Sequence, residues 1–381
     1  MLIKNVKIIF PDSIIPGSII IQNNKIYKIF LNHNPRYDGK TLDGENLYLS
    51  PGFIDIHIHG AFGCDTMDAT KESIQHISKT ILKHGVTSFL PTTMTCSKEE
   101  IRAAIKNVYE AMRTNCTDNN ILGVHLEGPF ISREKIGAQN PNFLLEPSVE
   151  NFKEIVGDHE DIIKIVTLAP EISGATELIH YLEENNITAS IGHSNAKYEE
   201  TIKAIKHGIS HATHLYNGMS SFNHREPGAV CAILNSNITA ECILDGIHLH
   251  YAALEIALKI KSTNKIVLIT DAMSACCMKD GNYSLGGQEV IVKDSAARLK
   301  NGTLAGSVLT LDKAVRNIKN HLDLPLQEII KLLTINPSKV CGTQRTKGII
   351  KENYDADLIL FDDDINIKHV FVDGRHKEIE Q

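Results

Sequence analysis

The apolar positions of this chain keep one rhythm near its start, a second through its middle, and the first again in its tail. Val6 to Phe10, Ser18 to Gln22 and Lys25 to Phe30 are short runs rich in isoleucine and valine, which predict strands. Asn23-Asn24 supplies a tight turn between the last two, and Leu47 to Leu49 leads into Pro51. After Gly60 the spacing becomes helical: Ile74, Ile77, Ile81 and Leu82 share a face, and His84-Gly85 closes that helix with a glycine. A strand over Val86 to Leu90 follows, then a helix marked by Ile101, Ile105, Val108 and Met112, then a strand over Ile121 to Leu126. The alternation continues with strands at Ile163 to Leu168 and Thr188 to Ile191, and helices at Thr176 to Glu184 and Glu199 to Lys206. Strands near His211 to His214, Thr239 to Leu244 and Ile266 to Thr270 complete it, with a helix at Ala252 to Ile260 before the last.

Such alternation implies a parallel sheet with right-handed crossovers. No G-x-G-x-x-G opens the first unit, and about eight strands can be counted. The expected α/β fold is therefore a closed (β/α)8 TIM-like barrel and not an open doubly wound sheet. The tail returns to short strands at Ile349-Ile350, Asp357 to Phe361 and His369 to Val372, separated by Asp and Asn turns. With strand modules at both ends, 1–50 and 344–381 are expected to pair into one small β-sandwich domain, and 51–343 to form the barrel.

Composition narrows the function. A chain of 381 residues with 42% hydrophobic content can bury a large core. Its net charge of -7 comes from mixed signs without a basic stripe, which argues against nucleic acid as a partner. The opening Met1-Leu2-Ile3-Lys4-Asn5-Val6-Lys7 has no signal-peptide character, and no apolar run approaches a membrane span. The eight cysteines lack C-x-x-C spacing, as free thiols in a reducing compartment would. The expectation is a soluble cytoplasmic protein that needs no membrane.

One stretch carries the candidate chemistry: Pro51-Gly52-Phe53-Ile54-Asp55-Ile56-His57-Ile58-His59-Gly60. Side chains at i and i+2 of a strand share a face, so His57 and His59 present two imidazoles side by side. Such a pair suits a borderline divalent metal such as zinc or ferrous iron. Taken alone, an H-x-H favours the plainer reading of two partly buried histidines bonded to backbone. Other polar residues end other expected strands: Glu127 in His125-Leu126-Glu127-Gly128-Pro129, His193 in Gly192-His193-Ser194, His214 in Thr213-His214-Leu215, and Asp271 in Thr270-Asp271-Ala272. Barrel enzymes place their chemistry on that face. Singly, each has a plain structural reading. His125 and His211 could be core groups, Asp271 could cap a helix, and Glu171 reads as structural. Jointly they point to a metal site.

These residues resemble a family. The Pro-Gly-Phe-Ile-Asp-x-His-x-His-Gly stretch after a β module, with Asp355-Ala356-Asp357-Leu358 late in the chain, resembles the amidohydrolase superfamily of metal-dependent barrel hydrolases. Within it, His125 to Phe130, Gly192 to Ala196, Ala212 to Met219 and Arg225-Glu226-Pro227-Gly228 resemble the N-acetylglucosamine-6-phosphate deacetylases. Asp245 to His248 and Leu304-Ala305-Gly306-Ser307 extend the likeness. It implies that Glu127, His193 and His214 bind one divalent metal. His57 and His59 offer a second, bridged by Glu127, and Asp271 stands at the centre as acid/base. One or two ions of zinc, iron, manganese or cobalt per subunit would suit these ligands. It further implies that Arg225 and His248 grip the phosphate of an amino-sugar phosphate, part of that grip crossing a homodimer interface. Ala138, Gln139, Asn217, Gly218, Leu304, Ala305 and Gly306 correspond to substrate contacts. Gln139 stands where some relatives have histidine, and glutamine donates a hydrogen bond but carries no charge.

Two rivals stay open. Other amidohydrolases act on cyclic or different amides, commonly with a bridging carboxylated lysine, but no strand-end lysine stands in place of Glu127. A barrel that has lost catalysis usually loses ligands first, whereas all the candidate positions here carry competent side chains.

Overall fold

From Phe53 to Ile269, helices and strands alternate as the apolar spacing requires. The computed structural model describes residues 1–379; Glu380 and Gln381, within the expected 344–381 segment, lie outside the described residues. Six strands form one parallel sheet in the order Val124–Glu127, Ile163–Leu168, Thr188–Ile191, Ile209–Ala212, Thr239–Ile243, Ile266–Ile269. A second parallel sheet orders Asn120–Ile121, Val86–Pro91 and Phe53–Ile58. Single parallel bridges, Thr92 to His125 and Ile58 to Ala272, stand at the two seams between these sheets. The expected closed ladder is thus interrupted as regular pairing, and the sheet is curled α/β.

One strand expected over Ile121 to Leu126 is divided at Gly123, which takes φ +145° and packs so closely that a Cβ there would stand 2.3 Å from the Ile162 carbonyl oxygen. Phe53–Ile58 is buried throughout, as a strand covered on both faces must be. Helices cover the sheets through narrow apolar stripes. Lys71–Leu82 buries Ile74, Ile77, Ile81 and Leu82, and its first turn is capped by the Thr70 side chain. The helix Lys98–Thr114 starts with a capping box between Ser97 and Glu100, a device worth about 1 kcal/mol. Truncating the fully buried Phe89 to alanine would cost about 3–5 kcal/mol.

The two ends of the chain meet in one eight-stranded sheet, ordered Arg375–Lys377, Ile367–Val372, Leu358–Phe361, Tyr48–Pro51, Leu2–Ile9, Ile14–Gln22, Lys25–Leu31, with Thr41–Asp43 also on Leu2–Ile9. The ladder runs through a single sheet in place of two separately paired layers. Ile349-Ile350 forms no strand; it leaves the left-handed turn at Gly348 and adds Ile350 to this module's core. Lys347 is nearly buried between Asp357 and Asp355, the carboxylates of the late motif. Tyr48–Pro51 passes directly into Phe53–Ile58, so this module anchors the strand that carries His57.

An antiparallel hairpin sheet, Gly281–Leu285, Gln288–Lys293 and Ala296–Leu299, follows the Asp271 segment and was not foreshadowed by the helical rhythm around it. Its buried Leu285, Val290 and Val292 pack with Met94, Ala138 and Met273 in a small separate core beside the strand ends. Among the described residues, no helix is long and apolar enough to cross a membrane.

Candidate metal centre and substrate cavity

All six expected polar residues stand at the C-terminal ends of parallel strands. His57 lies in Phe53–Ile58 and His59 just beyond it, while Glu127 ends its own strand. His193, His214 and Asp271 each lie two residues past a strand, and the strand expected to reach His214 stops at Ala212. All three take positive φ, at +47°, +29° and +49°. Left-handed backbone in a non-glycine residue costs on the order of 1–3 kcal/mol and persists only where the surroundings impose it. The turns aim the three side chains inward, over the end of the sheet.

Each imidazole is fixed by its Nδ1. That nitrogen donates to the Thr92 carbonyl from His59 at 3.3 Å, to the Lys135 carbonyl from His193 at 2.8 Å, and to the Asn217 carbonyl from His214 at 3.1 Å. His57 Nδ1 meets Glu241 Oε2 at 2.9 Å. With Nδ1 bound in this way, the Nε2 atoms are left to converge. Glu127 Oε1 is 3.3 Å from His193 Nε2 and 3.0 Å from His214 Nε2, and those two nitrogens are 3.2 Å apart. Glu127 Oε2 and Asp271 Oδ1 are each 3.2 Å from His59 Nε2. His57 Nε2 points at the same two carboxylates from 3.5 Å and is buried without a hydrogen-bond partner.

Converging imidazole nitrogens and a buried orphan nitrogen are costly unless a cation or protons sit among them. Without a cation, protons take that role. Burial disfavours a charge on His57 and His59, but Glu127 and Asp271 outweigh it, raising His59 to about 9 and His57 well above its usual range. Burial likewise acts against ionised Glu127, and the surrounding imidazoles overcome it, holding that carboxyl well below the usual range. Asp271 is also lowered: burial opposes, and the charge of His57 prevails. Two three-residue sets have donor atoms close enough to hold a metal: Glu127, His193 and His214, and His57, His59 and Asp271.

A third close set, His57, His125 and Glu241, has its donors taken up by hydrogen bonds, His57 and Glu241 with each other. His125 bonds the Ile56 carbonyl at 3.0 Å and Thr167 Oγ1 at 2.7 Å, and burial depresses it to about 3, so it stays neutral. Glu241 is fully buried and accepts from His57, His211 Nε2 and the His214 backbone N–H. It fixes two of the converging histidines at once. Its signal in the sequence is a single carboxylate inside the apolar run Thr239–Ile243. Glu171 binds Ser194 Oγ and the Asn195 N–H, and His250 caps the helix Tyr251–Lys261, so both act locally.

The cluster floors a cavity of about 370 Å³. Ala138, Gln139, Asn217 and Gly218 form part of its wall, as do His248, Leu304 and Gly306. A Cβ at Gly218, itself at φ +58°, would stand 3.1 Å from His193 Nδ1, so a side chain there would press on the ring. Gln139 Nε2 donates to Glu127 Oε2 at 2.8 Å while its Oε1 accepts the Thr95 N–H at 2.7 Å. His248 Nδ1 donates to Asp245 at 2.7 Å. Two expected contacts lie elsewhere. Ala305 is fully buried in the small core behind the wall. Arg225 is exposed on an irregular loop and borders a different cavity, of about 590 Å³, with Lys135, Asn195 and Glu226. The arginine that does line the catalytic-side cavity is Arg298, from the unforeseen hairpin sheet, anchored by donation to the Gly302 carbonyl at 2.8 Å.

The amidohydrolase family pattern matches residues 48–377. An N-acetylglucosamine-6-phosphate deacetylase of Lysinibacillus sphaericus is 40% identical over 335 residues, 88% of this chain and 86% of that protein. The enzyme of that name from Bacillus subtilis is 38% identical over 96% of this chain and 94% of its own. The crystal structure of the N-acetylglucosamine-6-phosphate deacetylase from Pasteurella multocida superposes with a TM-score of 0.93 at 31% identity, covering 99% of both chains. With that span of sequence and this strand-end geometry, the chain belongs to the amidohydrolase family, in the group formed by the N-acetylglucosamine-6-phosphate deacetylases.

Proposed function

We propose that the protein hydrolyses N-acetylglucosamine 6-phosphate to glucosamine 6-phosphate and acetate, as an enzyme of amino-sugar catabolism. The convergence of four Nδ1-anchored histidines on Glu127 and Asp271, at the floor of a cavity sized for one sugar, carries this reading. Glu127, His193 and His214 would hold one divalent ion, and His57 and His59, with Asp271 and Glu127 between, a second. Imidazole and carboxylate donors accommodate zinc, iron, manganese or cobalt. When bound, such an ion lowers the pKa of a ligated water to about 7 and polarises a carbonyl oxygen.

Asp271 performs the proton transfers. Its carboxyl is held in the ionised form, so it can take the proton of the attacking water and deliver it to the sugar nitrogen. An amine leaves only when protonated, which makes the second transfer as necessary as the first. His248, whose Nδ1 is committed to Asp245, lines the cavity and is proposed to bind the phosphate through its other ring nitrogen. Arg298 adds a cation from the same chain. Arg225 borders the second cavity and does not line its own chain's substrate cavity, and it is proposed to serve the substrate cavity of a second subunit in a homodimer. The backbone at Asn217, Gly218, Leu304 and Gly306 lines the space for the sugar ring.

The seam bridges support reading the two parallel sheets as one closed eight-stranded barrel over 51–343, with 1–50 and 344–381 as its β domain. A phosphorylated sugar cannot diffuse through a bilayer, which favours a cytoplasmic enzyme. The test is acetate release from N-acetylglucosamine 6-phosphate, with metal content measured on the same sample. Activity lost on chelation and regained with a divalent ion supports the proposal. A fully metallated protein without turnover redirects it to another amide.

A further inference from the structure

We propose that Cys277, His84 and Asp312 form an activated-thiol site, separate from the substrate cavity, at which Cys277 is oxidised by small hydroperoxides. Three distant segments meet there. Cys277 Sγ lies 3.3 Å from His84 Nε2, and His84 Nδ1 donates to Asp312 Oδ1 at 3.1 Å. Arg316 holds the other Asp312 oxygen at 2.7 Å, which fixes the carboxylate. Nucleophile, base and orienting acid in this order are the arrangement that activates a thiol.

Cys277 is exposed, and with His84 it borders a cavity of about 340 Å³ whose wall also includes Phe62, Lys79 and Lys83. Cys277 also takes φ +65°, a conformation a β-carbon disfavours and that the fold must impose. Another cysteine provides an internal contrast. Cys64 approaches His76 at 3.6 Å, but burial, with Asp68 and Asp65 adding to it, pushes its thiol up.

The groups facing the pair are Cys276, whose sulfur is 3.8 Å from that of Cys277, Asp312 backed by Arg316, and His76, Lys79 and Lys83 on the helix side of the cavity. The Cys276 contact, and after it His84, outweigh burial and hold the Cys277 thiol down to about 5. Burial acts against a charged His84, yet Asp312 and Cys277 raise it to about 9. The resting state is a thiolate–imidazolium pair across neutral pH. When the thiolate attacks a peroxide, an S–O bond forms and the O–O bond breaks. The departing hydroxide, or the alkoxide of an organic hydroperoxide, takes the His84 Nε2 proton and leaves as water or alcohol. Sulfur is oxidised to a sulfenic acid, the peroxide is reduced, and His84 ends neutral.

Nothing in this proposal depends on the deacetylase reading. The test uses the full-length protein, with iodoacetamide as the kinetic probe and peptide-resolved mass spectrometry to separate the eight cysteines. Against an ordinary thiol near 8.5, a thiol near 5 gains roughly 300-fold in thiolate at pH 6 and loses roughly 40-fold in nucleophilicity, a net advantage of about tenfold. Cys277 is expected to alkylate about tenfold faster than the other cysteines at pH 6, with its rate half-risen near pH 5. After brief hydrogen peroxide treatment, dimedone is expected to label Cys277 first. Cys277→Ser should lose that label and keep its acetate release. In a folded His84→Asn protein the half-rise should move up toward the ordinary thiol range. A wild-type rate that rises only near pH 8–9, or dimedone labelling elsewhere but not at Cys277, overturns the proposal without reference to any variant.

Discussion

The floor and the rim of the substrate cavity are built on opposite terms. The floor is a buried cluster whose donors are fixed twice, once by the strand ends that carry them and again by Nδ1 bonds to carbonyls or to Glu241. The rim is made of loops and a hairpin sheet, and its cation Arg298 is exposed, as is Arg225 beside the second cavity. A site that must stabilise charge at reacting atoms needs rigid donors, because preorganisation is what makes an electrostatic contact effective there. A site that only holds a phosphate can use longer, solvated side chains, since a doubly charged anion attracts them over a distance. Substitutions at the floor should therefore affect turnover and metal, and substitutions at the rim should affect KM.

The largest effect is expected at Asp271. Asp271→Asn keeps an oxygen near the ion site and removes the proton acceptor, so kcat should fall by roughly 10²–10⁴ while metal content stays intact. Retained turnover in a metallated variant would remove Asp271 from the acid/base role. Glu241 comes next. Glu241→Gln leaves an acceptor for His57 but no charge, and loss of such a supporting partner typically costs about 10–100-fold in metal affinity or activity. Metal titration together with a thermal melt separates this from unfolding. An unchanged affinity would mean that the backbone alone sets the His57 ring.

How far each region could be read in advance follows from the same contrast. The floor was legible because strand ends share a local signature: an apolar run that closes on an ionisable residue before a turn, as in Val267 to Asp271, or an apolar run interleaved with ionisable residues on one face, as in Ile54 to His59. Glu241 escaped because it sits inside its strand, where a carboxylate reads as a break in the apolar pattern and its partners lie on other strands. The rim was hardly legible. Arg225 belongs to a motif, yet the chain alone does not say toward which cavity a loop turns. Arg298 belongs to none; it reaches the cavity through the pairing of Ala296–Leu299 with Gln288–Lys293. The parallel order was readable from alternation, whereas the seams arise where regular pairing gives way to single bridges.

The rim predictions are smaller. Arg298→Ala should raise KM for the phosphorylated sugar about tenfold, the lower range for a charge-assisted hydrogen bond, and leave kcat nearly unchanged. An equal rise for unphosphorylated N-acetylglucosamine would remove Arg298 from the phosphate. Arg225→Ala should act similarly but through the other subunit. Random mixing of Arg225→Ala with Asp271→Asn subunits should then restore about a quarter of wild-type turnover at low substrate, because half the dimers regain one intact site. No recovery in mixed dimers would place Arg225 on its own chain's substrate or on none.

The smallest effect is expected at Gln139, where floor and rim meet. Its Oε1 is taken by the Thr95 N–H, which orients the amide so that Nε2 faces Glu127 Oε2 at 2.8 Å. In that orientation Nε2 donates to a proposed ligand and lies 3.7 Å from Met94 Sδ, so its two N–H groups are directed at Glu127 and Met94 and not at an oxyanion. Losing a hydrogen bond of this kind costs roughly 1–1.5 kcal/mol, about five- to tenfold, whereas losing an oxyanion donor costs roughly 10²–10³-fold in kcat. Gln139→Ala therefore discriminates by size alone. A loss below tenfold, with weakened metal binding, assigns Gln139 to Glu127 and to the floor. A loss above a hundredfold in kcat at full metal content would mean that the amide turns when substrate enters, and that the charge-stabilising donor comes from the rim.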